Sequence, residues 1–230
     1  MKDFSPLEQA LGVVFQDKAL LQQAFIHRSY INENTNFGLS HNERLEFLGD
    51  AVLELAITQY LYKKYPDTPE GQLTAYRAAL VRTESISDAA KKLNFDEYLL
   101  LSKGEAKDTG KAREYILANT FEAFTGALYL DQGYDAAEKF IGAQLYPKID
   151  EIVEEGTWKD AKSWVQEKAQ EVLSVTPSYV VVNEVGPDHD KLFTVGIVFG
   201  DDIVAEGTGH SKQDAEQKAA RAALAKMQWK

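Results

Sequence analysis

The first two thirds of the chain carry hydrophobic residues mostly three or four positions apart, a spacing that is typical of amphipathic helices. This pattern predicts two early helices, one over LEQALGVVF and one over KALLQQAFIHRSY. A longer helix is predicted over residues 42–65, and Pro66 ends it because proline lacks the backbone N–H that a helix interior requires.

The same helical spacing continues to about residue 155. Proline is favoured in the first turn of a helix, so Thr68-Pro69-Glu70 predicts the start of a helix that runs through QLTAYRAALVRTESISDAAKKL. Residues 103–113 are polar and contain two glycines, which indicates a loop. Two further helices are predicted, over ILANTFEAFTGALYL and over residues 134–152. This part of the chain is therefore predicted to be all-α.

The hydrophobic pattern changes in the last third of the chain. Short segments rich in β-branched and aromatic residues predict three strands, at residues 178–185, 192–199 and 203–207. Helices are predicted before and after them, at residues 159–173 and 211–227, and Ser211 and Asp214 have the spacing of a capping box. The order α-β-β-β-α predicts an α+β fold with its helices on one face of a small antiparallel sheet.

We therefore expect a multi-domain protein, with an all-α domain at residues 1–153, a linker at 154–158 and an α+β domain at 159–230. Its 230 residues are 44 % hydrophobic, enough for a core in each domain. The absence of cysteine excludes disulfides and thiolate ligands or nucleophiles. No apolar run approaches the roughly 20 residues of a membrane span, and the N-terminus lacks secretory features, so we expect a cytoplasmic protein without a membrane partner.

Three acids stand among large hydrophobic residues in the segment HNERLEFLGD. Glu43, Glu46 and Asp50 are spaced i, i+3 and i+7, so a helix places them on one face, where like charges raise one another's pKa. One interpretation is a solvated acidic face. The other is a cation site, because Glu122, one turn after Asn119, also interrupts a hydrophobic helix and could meet the first three acids. Such oxygen ligands suit Mg²⁺ or Mn²⁺, which could activate water for hydrolysis.

The net charge of −11 argues against a nucleic-acid partner unless the charges are unevenly distributed, because phosphate contacts need Lys and Arg. Residues 157–230 contain nine Lys and Arg against eleven Asp and Glu, a net charge of −2. The last helix nevertheless begins beside Lys212, and the N–H groups at a helix N-terminus attract anions. A capped surface helix and a phosphate site are the two interpretations of this feature.

Longer motifs distinguish between these interpretations. HNERLEFLGDAVLEL resembles the signature of the ribonuclease III family, and AFIHRSY, EGQLTAYRAALVR and FEAFTGALYLDQGY resemble other parts of the same nuclease domain. Nearer the C-terminus, GPDHDKLF and GTGHSKQDAEQKAARAAL resemble the double-stranded RNA-binding domain. The resemblance covers the whole chain. It implies an all-α nuclease domain followed by an α-β-β-β-α RNA-binding domain, as in bacterial-type members of the family.

The resemblance also assigns a metal site. It implies that Glu46, Asp50 and Glu122 bind the catalytic metal, and it places Asn119 where most of the family has an aspartate. Asparagine keeps a carbonyl oxygen but removes a negative charge. Asn119 is therefore a lineage variant with altered metal affinity, or a change that weakens cleavage while RNA binding persists, or a residue that orients water through its amide. We prefer the first interpretation because every other matched acid is intact.

Three further residues acquire roles from the resemblance. Glu43 and Glu70 are expected to contact RNA or water at the cleavage centre, and both count with the metal ligands as catalytic residues. Phe47 is expected to pack across a homodimer interface, and the alternative is an ordinary core residue. The dimer would present two cleavage centres to opposite strands of one duplex.

The RNA surface that the resemblance implies has three parts: the first helix of the second domain, the loop after its first strand, and the start of its last helix. Such domains read the shape of duplex RNA across successive minor grooves and the phosphates between them. The assigned residues are Ser163, Gln166 and Glu167, then Pro187, Asp188 and His189, then Ser211 and Lys212. Gln213 replaces a residue that is usually basic, so we expect modest affinity and a shallow salt dependence.

The function that the resemblance implies is hydrolysis of double-stranded RNA by a homodimeric endoribonuclease that uses Mg²⁺, with Mn²⁺ as a possible substitute and no small-molecule cofactor. Products would carry 5′-phosphate and 3′-hydroxyl ends with short 3′ overhangs, and the role would be in rRNA and mRNA processing. The alternative is an RNA-binding regulator that Asn119 has left with weakened or absent cleavage. A structural ribonucleoprotein component is disfavoured because the signature acids are present.

Overall fold

The computed structural model describes residues 2–187 and 191–229. The chain divides into two compact units, Met1–Glu155 and Gly156–Lys230. The first unit is helical, and the second combines helices with a small sheet. This arrangement confirms the predicted fold class. Within the described residues, no helix is both long enough and apolar enough to cross a membrane.

The first unit is built from helices of very different lengths, two of them 22 residues long. Their bounds are α1 Ser5–Leu11, α2 Lys18–Ala24, α3 Arg28–Glu33, α4 Glu43–Lys64, α5 Glu70–Val81, α6 Thr83–Lys92, α7 Lys111–Gln132, α8 Tyr134–Leu145 and α9 Lys148–Glu154.

The prediction of one helix over KALLQQAFIHRSY is wrong, because this segment forms two separate helices, α2 and α3. At the break, Ile26 forms an isolated bridge with Leu100, and the N–H of His27 donates to the Leu100 carbonyl. The His27 ring then accepts a hydrogen bond from the N–H of Ser29 and so caps α3. Tertiary hydrogen bonds and a cap thus satisfy backbone groups that a continuous helix would have used.

Two other long helices are also interrupted. Arg82 is extended, with ψ of 148°, and separates α5 from α6, although the sequence predicted one helix through both. Pro147 separates α8 from α9 within the helix predicted over residues 134–152, because its ring removes a backbone donor. The predicted loop at 103–113 holds a short 3₁₀ helix, Glu105–Lys107, and the first turn of α7.

The centre of the first unit is the crossing of α4 and α7, its most extensive helix contact. Gly49 and Gly126 lie at the crossing. A Cβ on Gly49 would lie 1.7 Å from the backbone oxygen of Glu122, and a Cβ on Gly126 would lie 2.2 Å from the backbone oxygen of Leu45. Only glycine allows this approach. Around the crossing, a cluster of phenylalanines fills the core: Phe15, Phe25, Phe95, Phe121, Phe124 and Phe140.

The second unit has the predicted α-β-β-β-α order, with α10 at Ala161–Leu173, β1 at Ser178–Val185, β2 at Leu192–Phe199, β3 at Asp202–Gly209 and α11 at Lys212–Lys226. The three strands are antiparallel in the order β1-β2-β3. Both helices pack on one face of the sheet through small side chains. The buried core comprises Ala161, Val165, Ala169, Ile197, Phe199, Ala219, Ala220 and Ala223. The third strand extends beyond its predicted bounds of 203–207 at both ends.

Candidate functional site

The start of α4 is anchored in the core and presents the first of the signature acids. Asn42 is buried, and its side-chain Nδ2 donates to the Ala24 carbonyl at 3.0 Å. Glu43 is the first residue of α4 and is exposed. Its carboxylate lies 3.6 Å from Nη1 of Arg28 and 3.7 Å from Nδ1 of His41. Glu43 thus faces two groups that can also attract a phosphate.

The glycine crossing brings the acid of α7 to the acids of α4. Glu46 and Asp50 flank Gly49, and the backbone oxygen of Glu122 lies directly against that glycine. Asn119 precedes Glu122 by three residues, which places both side chains on the same face of α7. Both residues are half-buried. Two helices that are far apart in sequence thus carry acids to one place, as the sequence interpretation required.

Burial and mutual repulsion perturb three carboxyl groups. Burial first, and then the charges of Asp50 and Glu46, raise the pKa of Glu122 to about 8. Partial burial, followed by Glu43 and Asp50, raises the pKa of Glu46. Partial burial and the charge of Glu54 raise the pKa of Asp50. Glu54, one turn after Asp50 on α4, is a contributor that the sequence interpretation missed, although its i+4 spacing could have revealed it.

The protein itself supplies little to neutralise these acids. In residues 2–187 and 191–229, no hydrogen bond or ion pair joins another side chain to the carboxyl group of Glu46, Asp50 or Glu122. In the same ranges, no three His, Asp or Glu side chains are already arranged to hold one ion. The oxygen-only donor set and the uncompensated charge nevertheless fit a hard divalent cation such as Mg²⁺ or Mn²⁺.

Glu70 lies away from this cluster within one chain. It begins α5 and accepts a hydrogen bond from Oγ1 of Thr74 at 3.2 Å. It also lines a groove of about 440 Å³ together with Tyr62 and Tyr65, from the last turns of α4. Twelve residues of helix separate Asp50 from Tyr62, or roughly 18 Å at 1.5 Å per residue. The charge of Glu70 also does not contribute to the raised pKa of Glu46 or of Glu122.

Phe47 is not a core residue of the described chain, because 81 % of its surface is exposed. Leu55 and Tyr62 are also exposed, at 57 % and 72 %. The spacing of the three residues along α4 is eight and seven, so they lie along one stripe of the helix. The sequence interpretation identified Phe47 alone and missed the other two.

The residues assigned to the RNA surface are placed on exposed parts of the second unit where the structure describes them. Ser163, Gln166 and Glu167 are exposed on α10, and the carboxylate of Asp160 caps that helix by accepting from the Ser163 N–H at 2.8 Å. Pro187 is exposed after β1, whereas Asp188 and His189 lie outside the described residues.

The start of α11 confirms one half of the predicted capping box. Oγ of Ser211 accepts a hydrogen bond from the N–H of Asp214 at 3.1 Å. The Asp214 carboxylate does not return the bond to Ser211 but accepts from Nζ of Lys218 at 3.0 Å. Lys212 is exposed in the first turn of the helix. The residue thus begins the helix at the end where backbone N–H groups can bind an anion.

Comparison with known proteins identifies both units. The family description Ribonuclease-III-like matches residues 17–149, and the description Double-stranded RNA binding motif matches residues 161–227. Ribonuclease 3 of Latilactobacillus sakei subsp. sakei is 48 % identical to the chain over 220 residues, which cover 96 % of this chain and 95 % of that protein. Ribonuclease 3 of Enterococcus faecalis is 48 % identical over 221 residues, covering 95 % and 94 %.

A solved structure is similar to the first unit. The nuclease domain of ribonuclease III from Campylobacter jejuni aligns with a TM-score of 0.56 at 38 % identity, covering 62 % of this chain and 98 % of that one. The sequence matches extend across both units, and the acids of the signature meet Glu122 at the crossing of α4 and α7. The chain therefore belongs to the ribonuclease III family of endoribonucleases.

Proposed function

We propose that the protein hydrolyses phosphodiester bonds of double-stranded RNA with the help of a divalent cation. The observation that carries this proposal is the half-buried Glu122, whose pKa is raised to about 8 by burial and by Asp50 and Glu46. A protein gains no stability from keeping three acids together without a counter-charge. A bound cation would remove this cost, and the same arrangement suits phosphate chemistry.

The roles of the chain's own residues follow from their positions. Glu46, Asp50 and Glu122 would hold the cation, and Asn119 would offer a fourth oxygen from the same face of α7 as Glu122. When bound, Mg²⁺, or Mn²⁺ in its place, would supply charge neutralisation and Lewis-acid polarisation at the scissile phosphate. Glu43, exposed at the start of α4, would orient water or RNA at the edge of the centre.

A homodimer is part of the proposal because it accounts for two separate features. The exposed stripe of Phe47, Leu55 and Tyr62 is unusually hydrophobic for a helix surface and would be covered by a second copy. The solved Campylobacter jejuni nuclease domain is described as having a region involved in dimer formation. In a dimer, Glu70 could also join the cleavage centre of the other copy, which it cannot reach within its own chain.

The dimer would present two centres to one duplex, each cutting one strand. Staggered cuts would leave 5′-phosphate and 3′-hydroxyl ends with short 3′ overhangs. The second unit would bind the duplex by shape, through α10, the loop after β1 and the start of α11. Processing of rRNA and mRNA in the cytoplasm is the proposed role, by similarity to the bacterial ribonucleases that the chain matches.

The test of this proposal is a cleavage assay on an end-labelled RNA duplex, with Mg²⁺ and with a chelator. We expect cleavage with Mg²⁺ only, resistance of the matching single strand, and loss of cleavage in Glu122→Gln. Glu97→Gln, an exposed acid outside the cluster, is the control and should cleave normally. Cleavage that persists in the chelator, or in Glu122→Gln, would contradict the assignment of the centre.

A second candidate function, an RNA-binding regulator without cleavage, depends on Asn119. The Asn119→Asp variant separates the two functions in a Mg²⁺ titration of duplex cleavage. If the protein is an active lineage variant, the unaltered chain cleaves, and Asn119→Asp shifts the Mg²⁺ requirement to lower concentration because it adds a charge to the centre. A chain that is inert at every Mg²⁺ concentration and is rescued by Asn119→Asp would establish the regulator instead.

A further inference from the structure

Glu184 joins two lysines at the end of the second unit where RNA is proposed to bind. It lies near the C-terminal end of β1, and its two carboxylate oxygens face different partners. Oε1 lies 3.6 Å from Nζ of Lys212, and Oε2 lies 3.7 Å from Nζ of Lys191. Lys212 is the residue at the start of α11 that we propose contacts phosphate. The carboxylate of Glu184 therefore already lies beside a lysine that is proposed to contact phosphate.

The backbone fixes this arrangement. Glu184 pairs with Phe193 in the register of β1 and β2, so the two residues are direct neighbours across the strands. Nζ of Lys212 also lies 5.6 Å from the centre of the Phe193 ring, within the range of a cation–π contact. The sheet thus holds the carboxylate and the aromatic ring together under one ammonium group. The ammonium group of Lys212 therefore lies close to an acid of the same domain.

The ion pairs of Glu184 are loose. Both distances exceed that of a charge-assisted hydrogen bond, which is about 2.7–2.9 Å. The Lys212 side chain is 58 % exposed and that of Glu184 is 38 % exposed. Ion pairs with this much exposure contribute little to stability. A phosphate group can therefore displace the carboxylate from Lys212 without unfolding any part of the domain.

We propose that Glu184 acts as an intramolecular competitor for RNA phosphate and so lowers the affinity of the second unit for duplex RNA. This inference rests on the proposed function of Lys212 in RNA binding. When RNA binds, Lys212 exchanges the carboxylate of Glu184 for a phosphate, and the negative charge of Glu184 remains close to the RNA backbone. The contact between Lys212 and phosphate therefore contributes less to the affinity for RNA than it would without Glu184.

The competitor also offers a local cause for the shallow salt dependence expected from the charge of −2 on residues 157–230. A lysine that lies beside an acid brings less net positive charge to the RNA, so its binding releases fewer counterions from the RNA. Lys218 is held in a similar way by Asp214, at 3.0 Å, and also donates to the Thr208 carbonyl. Acids of the domain thus lie beside both lysines of α11 that stand nearest to its N-terminus.

The test is equilibrium binding of the full chain to an RNA duplex in a chelator, which prevents metal-dependent cleavage, across a range of salt concentrations. We expect Glu184→Gln to tighten binding roughly two- to five-fold at low salt, the range that a weak exposed ion pair supports. The logarithmic salt slope should steepen by about one, as for one additional phosphate contact.

Glu206→Gln is the matched control because it changes the net charge by the same amount. Glu206 is exposed on β3 and pairs with Gly196 of β2. Its neighbour Gly207 packs against α11, so alternation along the strand points Glu206 to the opposite face of the sheet. The control should change the affinity by clearly less than Glu184→Gln. Equal tightening by both variants would mean that net charge alone is responsible and would overturn the proposal.

Lys212→Gln distinguishes failure of this inference from failure of the proposed RNA surface. If Lys212→Gln leaves binding unchanged, Lys212 does not contact RNA and the proposed surface is wrong. If Lys212→Gln weakens binding while Glu184→Gln has no effect or also weakens it, the surface stands and the competitor role is overturned. In a Lys212→Gln background, Glu184→Gln should tighten binding less than in the unaltered chain, and an equal gain would refute the coupling. Unchanged thermal unfolding of each variant confirms that the fold is intact.

Discussion

The acidic centre makes the stability of the first unit depend on pH in an unusual direction. The pKa of Glu122 is raised from 4.5 to about 8 by burial and by its acidic neighbours. The folded protein therefore holds this proton more tightly than the unfolded chain does. The resulting stabilisation is fully present below about pH 4.5 and is lost as the pH rises through 8. In a chelator, the chain should thus become less stable on going from pH 5 to pH 8.

The magnitude follows from the size of the pKa change. Each pKa unit corresponds to about 1.4 kcal/mol, so the change at Glu122 sets an upper limit of about 4–5 kcal/mol. Glu122 is only half-buried, and solvent screens part of the repulsion, so we expect about 2 kcal/mol between pH 5 and pH 8. Glu122→Gln cannot ionise and should lose this part of the pH dependence. At pH 8, it should be more stable than the unaltered chain by a similar amount.

The assay is urea unfolding followed by circular dichroism at several pH values in a chelator, with Glu97→Gln as the control. The control should follow the unaltered chain, because Glu97 is exposed and outside the cluster. Adding Mg²⁺ at pH 8 should stabilise the unaltered chain by about 1–3 kcal/mol at concentrations well above the dissociation constant, and Glu122→Gln by less. Parallel pH curves for the unaltered chain and Glu122→Gln would refute the reasoning.

Three other substitutions test the packing, the dimer and a helix cap. Gly49→Ala places a Cβ 1.7 Å from the Glu122 carbonyl oxygen and should cost about 3 kcal/mol or more in urea unfolding. Gly71→Ala meets nothing within 4 Å and should be neutral or stabilising by up to about 1 kcal/mol, because alanine is the better helix former. Phe47→Ala should leave the unfolding of the monomer almost unchanged but shift sedimentation toward monomer, since burying one such ring contributes about 2 kcal/mol. Asp160→Ala removes the cap of α10 and should lower the stability of the second unit by about 1 kcal/mol.

The sequence predicts the elements of the second unit better than those of the first, for a physical reason. The bounds of β1 and β2 agree with the predicted ones because β-branched and aromatic residues fill both strands and glycines mark the turns that follow them. The early helices fail at Phe25–His27, where the backbone bonds to Leu100, more than seventy residues away in sequence. No local pattern records such a partner. The break between α8 and α9 did have a local signal in the sequence, Pro147, but the continuous helical spacing of hydrophobic residues around it favoured one long helix.

The acidic centre was predictable as a set of residues but not as a geometry. The i, i+3 and i+7 spacing places Glu43, Glu46 and Asp50 on one face of a helix, and Glu122 stands out because it interrupts a hydrophobic helix. The resemblance to the ribonuclease III family then assigns Glu122 to the same centre. The position of Glu70, some three turns of α4 away from Asp50, depends on how α5 folds back after Pro66. The sequence also could not predict that Leu55 is exposed. A hydrophobic residue fits the helical spacing equally well whether the core of its own chain or a second copy of the chain covers it.

The glycines at the crossing explain why the acids can meet at all. Gly49 lies between Glu46 and Asp50 on α4, and Gly126 lies one turn after Glu122 on α7. Ordinary side chains at these two positions would hold the helices farther apart, since packed helices with larger residues lie 8–10 Å apart. The closer approach raises the repulsion among the carboxyl groups, as the raised pKa values of Glu46 and Glu122 indicate. The packing that makes the centre unfavourable without a counter-charge is thus the same packing on which the proposed cation site depends.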